Sequence, residues 1–188
     1  MLKLTYRIGS DFMHYADIKE YDIANGPGVR VSLFVSGCTH KCKGCFNAEA
    51  WDFCYGNLFT EKEEEKILES LGRDYISGIT FLGGEPFEHE NQKGILPLIR
   101  KIKERYPDKS IWCFSGYTFD KDIVGDMCKK WDETKELISY IDVLVDGKFE
   151  IDKKDIKLKF RGSSNQRIIN VKESLKQGKV ILCDEYMN

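Results

Sequence analysis

The sequence lacks any apolar run approaching about 18 residues, which excludes a transmembrane helix. It also lacks an excess of either charge: 29 Lys and Arg stand against 31 Asp and Glu, a formal net charge of −2. No basic field of the kind that makes nucleic acid a main partner is expected, and no membrane partner either. The leading residues alternate charged and apolar side chains without a continuous hydrophobic segment, so no secretory leader is expected. No Ser/His/Asp arrangement and no paired carboxylates ask for acid–base or nucleophilic catalysis by side chains. Internal repeats, low-complexity segments and dividing linkers are missing too, and 188 residues suit a single domain over 1–188.

What the chain does have is cysteine. Seven is an odd and fairly high count, whereas a disulfide scaffold prefers a shorter secreted chain with an even number. Metal binding or redox chemistry in a reducing, cytoplasmic compartment is the better expectation.

Short β-rich runs alternate with helical spacing. Val29–Val35, Gly78–Leu82, Ser110–Phe114 and Ile141–Val145 read as strands. Between them lie a helix opened by Thr60 and Glu63 as a capping box and stopped at Gly72, a helical segment through Ile95, Leu98, Ile99 and Ile102 closed by Pro107, and a helical stretch from about Phe119 to Tyr140. The acidic run Glu61 to Glu65 reads as a solvated helix start that suits the helix dipole. This rhythm predicts an α/β fold, a parallel sheet with right-handed crossover helices, either open or an incomplete barrel. Beyond Gly147, Ile156 to Phe160 and Gln166 to Val171 look β-like, and the charged tail from Lys172 to Asn188 offers a last strand at Lys179 to Cys183. In both architectures ligands bind beyond the carboxyl ends of parallel strands. The loop after the first strand and the Gly83-Gly84-Glu85-Pro86 turn after the second therefore belong on one rim.

The first of these loops holds Cys38, Cys42 and Cys45 at C-x3-C-x2-C, with Gly37 and Gly44 supplying backbone freedom for wrapping. Three bare thiolates repel one another, and a metal centre removes that problem. Structural zinc wants four closed ligands. A compact run of three cysteines suits an iron–sulfur cube with one iron lacking a cysteine. Zinc stays open if His40 adds a fourth ligand, although four ligands so close in sequence would strain one tetrahedron; His40 is otherwise expected to be exposed or beside the metal. Cys54, Cys113, Cys128 and Cys183 are scattered and read as small hydrophobes without a cluster role. The Asn25-Gly26-Pro27-Gly28 segment either shapes a loop near the rim or is an ordinary turn.

The cysteine loop after one strand, with GGEP after the next, resembles the radical S-adenosylmethionine superfamily. Within it, DIANGPGVR from Asp22, LFVSGCTHKCKGCFN, FSGYT from Phe114, DVLVDGKFE from Asp142 and RGSSNQR from Arg161 resemble the activating proteins of anaerobic ribonucleoside-triphosphate reductases. The likeness covers about residues 21–170, leaving 1–20 and 171–188 as segments of open role. Many superfamily members carry an aromatic just before the third cysteine. The reductase activators place glycine there and an aromatic after it, as Gly44 and Phe46 stand here.

The resemblance implies an incomplete, open TIM-like barrel. It also implies a [4Fe–4S] cluster on Cys38, Cys42 and Cys45, with S-adenosylmethionine chelating the fourth iron. Reductive cleavage of that cofactor would generate a 5′-deoxyadenosyl radical, which would take hydrogen from a glycine of the reductase. Gly83 and Gly84 would let backbone approach the cofactor's methionine moiety, and Glu85 or nearby carbonyls would accept from its ammonium group. Gly44, Cys45 and Phe46 would meet its adenine side, unless Phe46 simply packs under the loop. The implied partners are the reductase and a reduced flavodoxin or ferredoxin as electron donor. The alternatives are activation of another glycyl-radical enzyme of the formate-lyase type, or a non-enzymatic zinc-binding interaction module.

Overall fold

The structure is a computed structural model and describes residues 13–187. Seven strands form one sheet: β1 (His14–Asp22), β2 (Val29–Val35), β3 (Asn57–Leu58), β4 (Ile76–Gly83), β5 (Ser110–Phe114), β6 (Val143–Asp146) and β7 (Arg167–Asn170). The helices are α1 (Glu61–Leu71), α2 (His89–Arg105), α3 (Cys128–Lys130), α4 (Asp132–Tyr140), α5 (Val171–Gln177) and α6 (Asp184–Met187).

The spatial order is β3-β1-β2-β4-β5-β6-β7. The centre, β2-β4-β5-β6, is parallel, as the strand–helix rhythm requires. The flanks depart from the expected parallel sheet: β1 runs antiparallel to β2 and β3, and β7 antiparallel to β6. The sheet does not close on itself.

Period-two alternation along the central strands divides the molecule. Val31, Leu33 and Val35 of β2, Ile79 and Phe81 of β4, and Ile111 and Cys113 of β5 are buried in one cluster with Ile67, Leu68 and Leu71 of α1, Ile95, Ile99 and Ile102 of α2, and Leu137 and Ile138 of α4. Each such aliphatic side chain contributes about 1.5–3 kcal/mol by leaving water. The intervening residues, including Arg30, Ser32, Thr80 and Trp112, point to the other face and are buried there. That face belongs to the site.

Local signals explain most boundaries. At α1, Thr60 and Glu63 form the expected capping box and Gly72 is the C-cap. The helix expected from Phe119 to Tyr140 is divided instead: Phe119–Met127 is wound as a π-helix, α3 follows, and the extended Trp131 (φ −133°, ψ 125°) separates it from α4. Ile156 to Phe160 forms no strand, since no neighbour offers a ladder; Asp155 N bonds to Gly162 O and Leu158 N to Asp155 O instead. The strand expected at Lys179 to Cys183 shrinks to one bridge between Leu182 and Ile169, ahead of α6. The extension before residue 21 supplies most of β1.

Candidate functional site

Parallel pairing of β2 and β4 sets Val35 opposite Gly83, so the two unusual loops leave the sheet side by side. Gly84 N donates to Val35 O at 2.7 Å and Glu85 N to Gly37 O at 2.8 Å. Gly37 (φ +97°) and Gly44 (φ +74°) adopt left-handed conformations, which bends the loop as their identity suggests. A Cβ on Gly84 would fall 2.5 Å from Gly37 O and one on Gly83 2.7 Å from Val35 O. Glycine is therefore required at both positions by the chain's own packing, independently of any ligand.

Over the strand face that carries Phe34, Leu82 and Phe114, and reaching the loops that follow the strands, lies a cavity of about 450 Å³, within the usual size range of small-molecule sites. Cys38, Cys42, Cys45, Phe46, Gly83, Gly84 and Glu85 all border it; Gly44, between two of the cysteines, does not. The other four cysteines also lie outside the lining. Ala24 and Asn25 reach the cavity from the amino end of β2. Phe46 is 67% exposed, with its ring 5.3 Å from that of Phe149, so it does not pack under the loop.

Among the described residues no group of three His, Cys, Asp or Glu side chains is already gathered as a set that could hold a metal. The chemistry of the loop nevertheless fits a sulfur-ligated centre. Burial pushes the Cys38 thiol up to about 11 and is partly offset by the backbone N–H groups of His40 and Lys41. Burial also raises Cys42, against the backbone N–H of Phe149, and Asn47 N donates to Cys45 Sγ at 3.4 Å. All three sulfurs thus face main-chain donors, and burial disfavours the Cys38 and Cys42 thiolates unless a cation is bound. Soft donors of this kind suit iron–sulfur or zinc.

Glu85 and His40 occupy places that spacing did not reveal. Glu85 is 1% exposed: its Oε1 accepts from Phe87 N (2.9 Å) and Ser115 Oγ (2.8 Å), and its Oε2 from Gly116 N (2.7 Å). His40 Nε2 lies 3.0 Å from the same Oε2, and its ring meets Tyr117 edge-on at 4.3 Å. The Glu85 carboxylate is therefore committed to protein groups, and one His40 nitrogen is engaged away from the thiols. Two braces escaped the sequence reading. Glu88 Oε1 accepts from Thr39 N at 2.8 Å, and Asn91 Nδ2 donates to Gly37 O (3.3 Å) and Glu85 O (2.9 Å).

The remaining motifs complete the wall. Gln166 Oε1 accepts from Gly162 N and its Nε2 donates to Gly147 O at 3.0 Å, while Asn165 Nδ2 donates to Lys148 O at 2.9 Å; RGSSNQR is thereby stapled to DGK. Arg30, although on the face that carries the site, does not border the cavity. It is buried, donating to Thr80 Oγ1, Ser110 Oγ, Ile79 O and Ser110 O, and burial lowers it to about 10.

A family model described as "4Fe-4S single cluster domain" matches residues 24–169. The chain is 44% identical over 158 residues to an anaerobic ribonucleoside-triphosphate reductase-activating protein of Pasteurella multocida, covering 83% of this chain and 96% of that protein. It is 40% identical to the protein of that name from Vibrio cholerae (83% and 97% covered) and 41% identical to that of Enterobacteria phage T4 (83% and 93%). No described helix is long and apolar enough to cross a membrane.

Proposed function

The chain belongs to the family of anaerobic ribonucleoside-triphosphate reductase-activating proteins, and from that premise we propose that Cys38, Cys42 and Cys45 hold a [4Fe–4S] cluster at which S-adenosylmethionine binds. The observation that carries this reading is the convergence of three thiols, each met by backbone N–H groups, on one cavity whose single carboxylate is already engaged. Three cysteines and no free carboxylate leave one iron open to the cofactor. When bound, cluster and cofactor would supply reductive cleavage of the carbon–sulfur bond and the radical that takes hydrogen from a glycine of the reductase. The unclosed sheet is read as the incomplete barrel of radical S-adenosylmethionine enzymes, its open side admitting a loop of the protein substrate.

In this reading the chain's own residues position and exclude. Gly83, Gly84 and the Glu85 main chain border the methionine side, and Phe46 and the backbone around Gly44 and Cys45 the adenine side. Glu85, through His40, and Glu88, through Thr39, hold the cysteine loop in register with them. An acidic or basic side chain is not required to move a proton.

The test uses anaerobically reconstituted protein with S-adenosylmethionine and a strong one-electron reductant, measuring 5′-deoxyadenosine beside a Cys42→Ala control, then repeating with the reductase added. Product that requires Cys42, and a glycyl-radical spectrum on the reductase, are expected. Zinc at one per chain without acid-labile sulfide would overturn the reading, as would cofactor cleavage with no radical on the reductase.

A further inference from the structure

The outer side of the cysteine loop is basic, in a chain whose formal net charge is −2. Residues 41–46 and 148–154 hold five lysines, Lys41, Lys43, Lys148, Lys153 and Lys154, against two carboxylates, Glu150 and Asp152, and no arginine. All five lysines are exposed. Among the described residues only Lys153 of the five pairs with a carboxylate, Glu150 at 2.7 Å. The acids that follow the loop are turned elsewhere. Glu49 borders a smaller hollow with Ala16, Asp17 and Lys19 of β1, and Asp52 Oδ1 accepts from Cys54 N.

The two segments are far apart in sequence but packed together. Ile151 covers Gly44, where a Cβ would lie 3.0 Å from Ile151 Cδ1. Lys154 Nζ stands 4.9 Å from the centre of the Phe46 ring, and the Lys148 ammonium is near enough to Cys42 to favour its thiolate. Phe46 (67% exposed) and Ile151 (36%) give this surface an apolar patch among the lysines.

None of the five lysines borders the cavity. Cys42 and Cys45, which do border it, are only half-buried, so the loop is thin at this point. A partner seated on its outer side comes close to the sulfurs without entering the cavity, whereas a glycine-bearing segment of a protein substrate has to enter. Electron transfer needs approach rather than entry, and redox encounters use small, transient interfaces. Lysine, a strongly hydrated and mobile point charge, suits steering of an acidic partner more than a dry, fixed contact.

We propose that the surface formed by Lys41, Lys43, Lys148 and Lys154 around Phe46 is the docking surface for a small acidic one-electron carrier protein, which reduces the cluster through the cysteine loop. The proposal rests on the functional reading above. One electron leaves the reduced carrier and enters the cluster, and no bond forms or breaks between the two proteins.

The test measures the affinity of oxidised flavodoxin for cluster-loaded protein by calorimetry, and the rate at which photoreduced flavodoxin reduces the cluster, both anaerobically at low ionic strength. Lys43→Glu/Lys154→Glu is compared with the wild type and with Lys62→Glu/Lys129→Glu. The latter makes the same change of charge on α1 and α3, which pack on the opposite face of the sheet. The methyl viologen radical, a small cation, serves as a second reductant. With flavodoxin, Lys43→Glu/Lys154→Glu is expected to lose about tenfold or more in both affinity and rate, a loss that shrinks as salt is added. Its reduction by the viologen should not slow, and the control variant should stay close to the wild type. Equal losses in the two variants, or no loss in Lys43→Glu/Lys154→Glu, overturn the proposal. Slower reduction by the viologen does so too, because the damage would then lie in the cluster itself. So does a normal affinity for flavodoxin with a weakened one for the reductase, since the surface would then belong to the protein substrate. A wild type that binds flavodoxin yet carries zinc and no reducible cluster overturns the functional reading as well, an outcome distinct from these. Should Lys43→Glu/Lys154→Glu fail to load its cluster, Lys43→Gln/Lys154→Gln is the second variant, and its smaller loss must show the same salt dependence.

Discussion

His40 Nε2 lies 3.0 Å from Glu85 Oε2, both side chains buried, so the residue between the first two cysteines is tied to the turn that ends β4. Because the same carboxylate also holds Ser115 and Gly116 after β5, one side chain joins the loops of three parallel strands. A site that must keep three sulfurs in fixed relation to a neighbouring turn gains from such a joint.

Glu85→Ala should uncouple these loops. Four groups lose their acceptor inside the protein, and the expected destabilisation is about 3 kcal/mol. Glu85→Gln keeps the shape and one carbonyl acceptor and should cost less. Denaturant unfolding of metal-free protein measures the stability, and iron and acid-labile sulfide per chain measure the site. Full cluster loading by Glu85→Ala would show that the joint is dispensable for ligation.

Gly84→Ala tests close approach without backbone strain, since the added Cβ would meet Gly37 O at 2.5 Å and Ala50 O at 3.0 Å. Backbone atoms cannot swing aside, so the cysteine loop must shift, at about 1–3 kcal/mol. Gly178→Ala is the control: its Cβ would meet nothing within 4 Å, and only its φ of +66° is unfavourable. The expected result is reduced cluster content in Gly84→Ala and normal content in Gly178→Ala, read as iron per chain.

Phe46 is 67% exposed and touches the body of the protein through the Phe149 ring at 5.3 Å and the Lys154 ammonium, 4.9 Å from its own ring. Phe46→Ala should therefore leave the melting temperature almost unchanged, within about 0.5 kcal/mol of stability, while weakening cofactor binding. A large loss of stability with unaltered affinity would make it a packing residue after all.

The rim was legible because it follows from topology. Parallel strands place their following loops together, and the Val35–Gly83 register does so for CTHKCKGC and GGEP. The braces were not legible, because Thr39 and Glu88 are far apart in sequence and a carboxylate in GGEPFEHE looks like any solvated acid until the fold buries it. Strand β1 was missed for a related reason. Its HYADIKEYD scatters Asp17, Lys19, Glu20 and Asp22 among single apolar residues and shows no apolar run, and only the two-residue β3 flanks it on the outer side. Ile156 to Phe160 erred in the opposite direction. IKLKF alternates perfectly, yet alternation makes a strand only beside a partner, and Ile156 is 91% exposed.

The tail offers a pH test that needs no metal. Cys183 packs against Trp112, Val145 and Ile168, and its N–H donates to Ile168 O at 2.9 Å. Burial, with Glu185 and Asp184 adding, pushes its thiol up to about 11, whereas an unfolded thiol titrates near ~8.5. The native state therefore holds this proton where the unfolded chain has released it. The associated stability is complete below the unfolded value and is lost as pH rises from there through the folded value. For a thiol still partly open to solvent the loss is on the order of 1 kcal/mol, well below the full shift. Other buried thiols add to the alkaline slope, so the informative quantity is the difference between the wild type and Cys183→Ala. Urea midpoints of metal-free protein, followed by tryptophan fluorescence because Tyr186 of the tail contacts Trp112, should fall less steeply in Cys183→Ala across that window. Identical slopes in the two proteins would mean that the tail has already released the thiol to water.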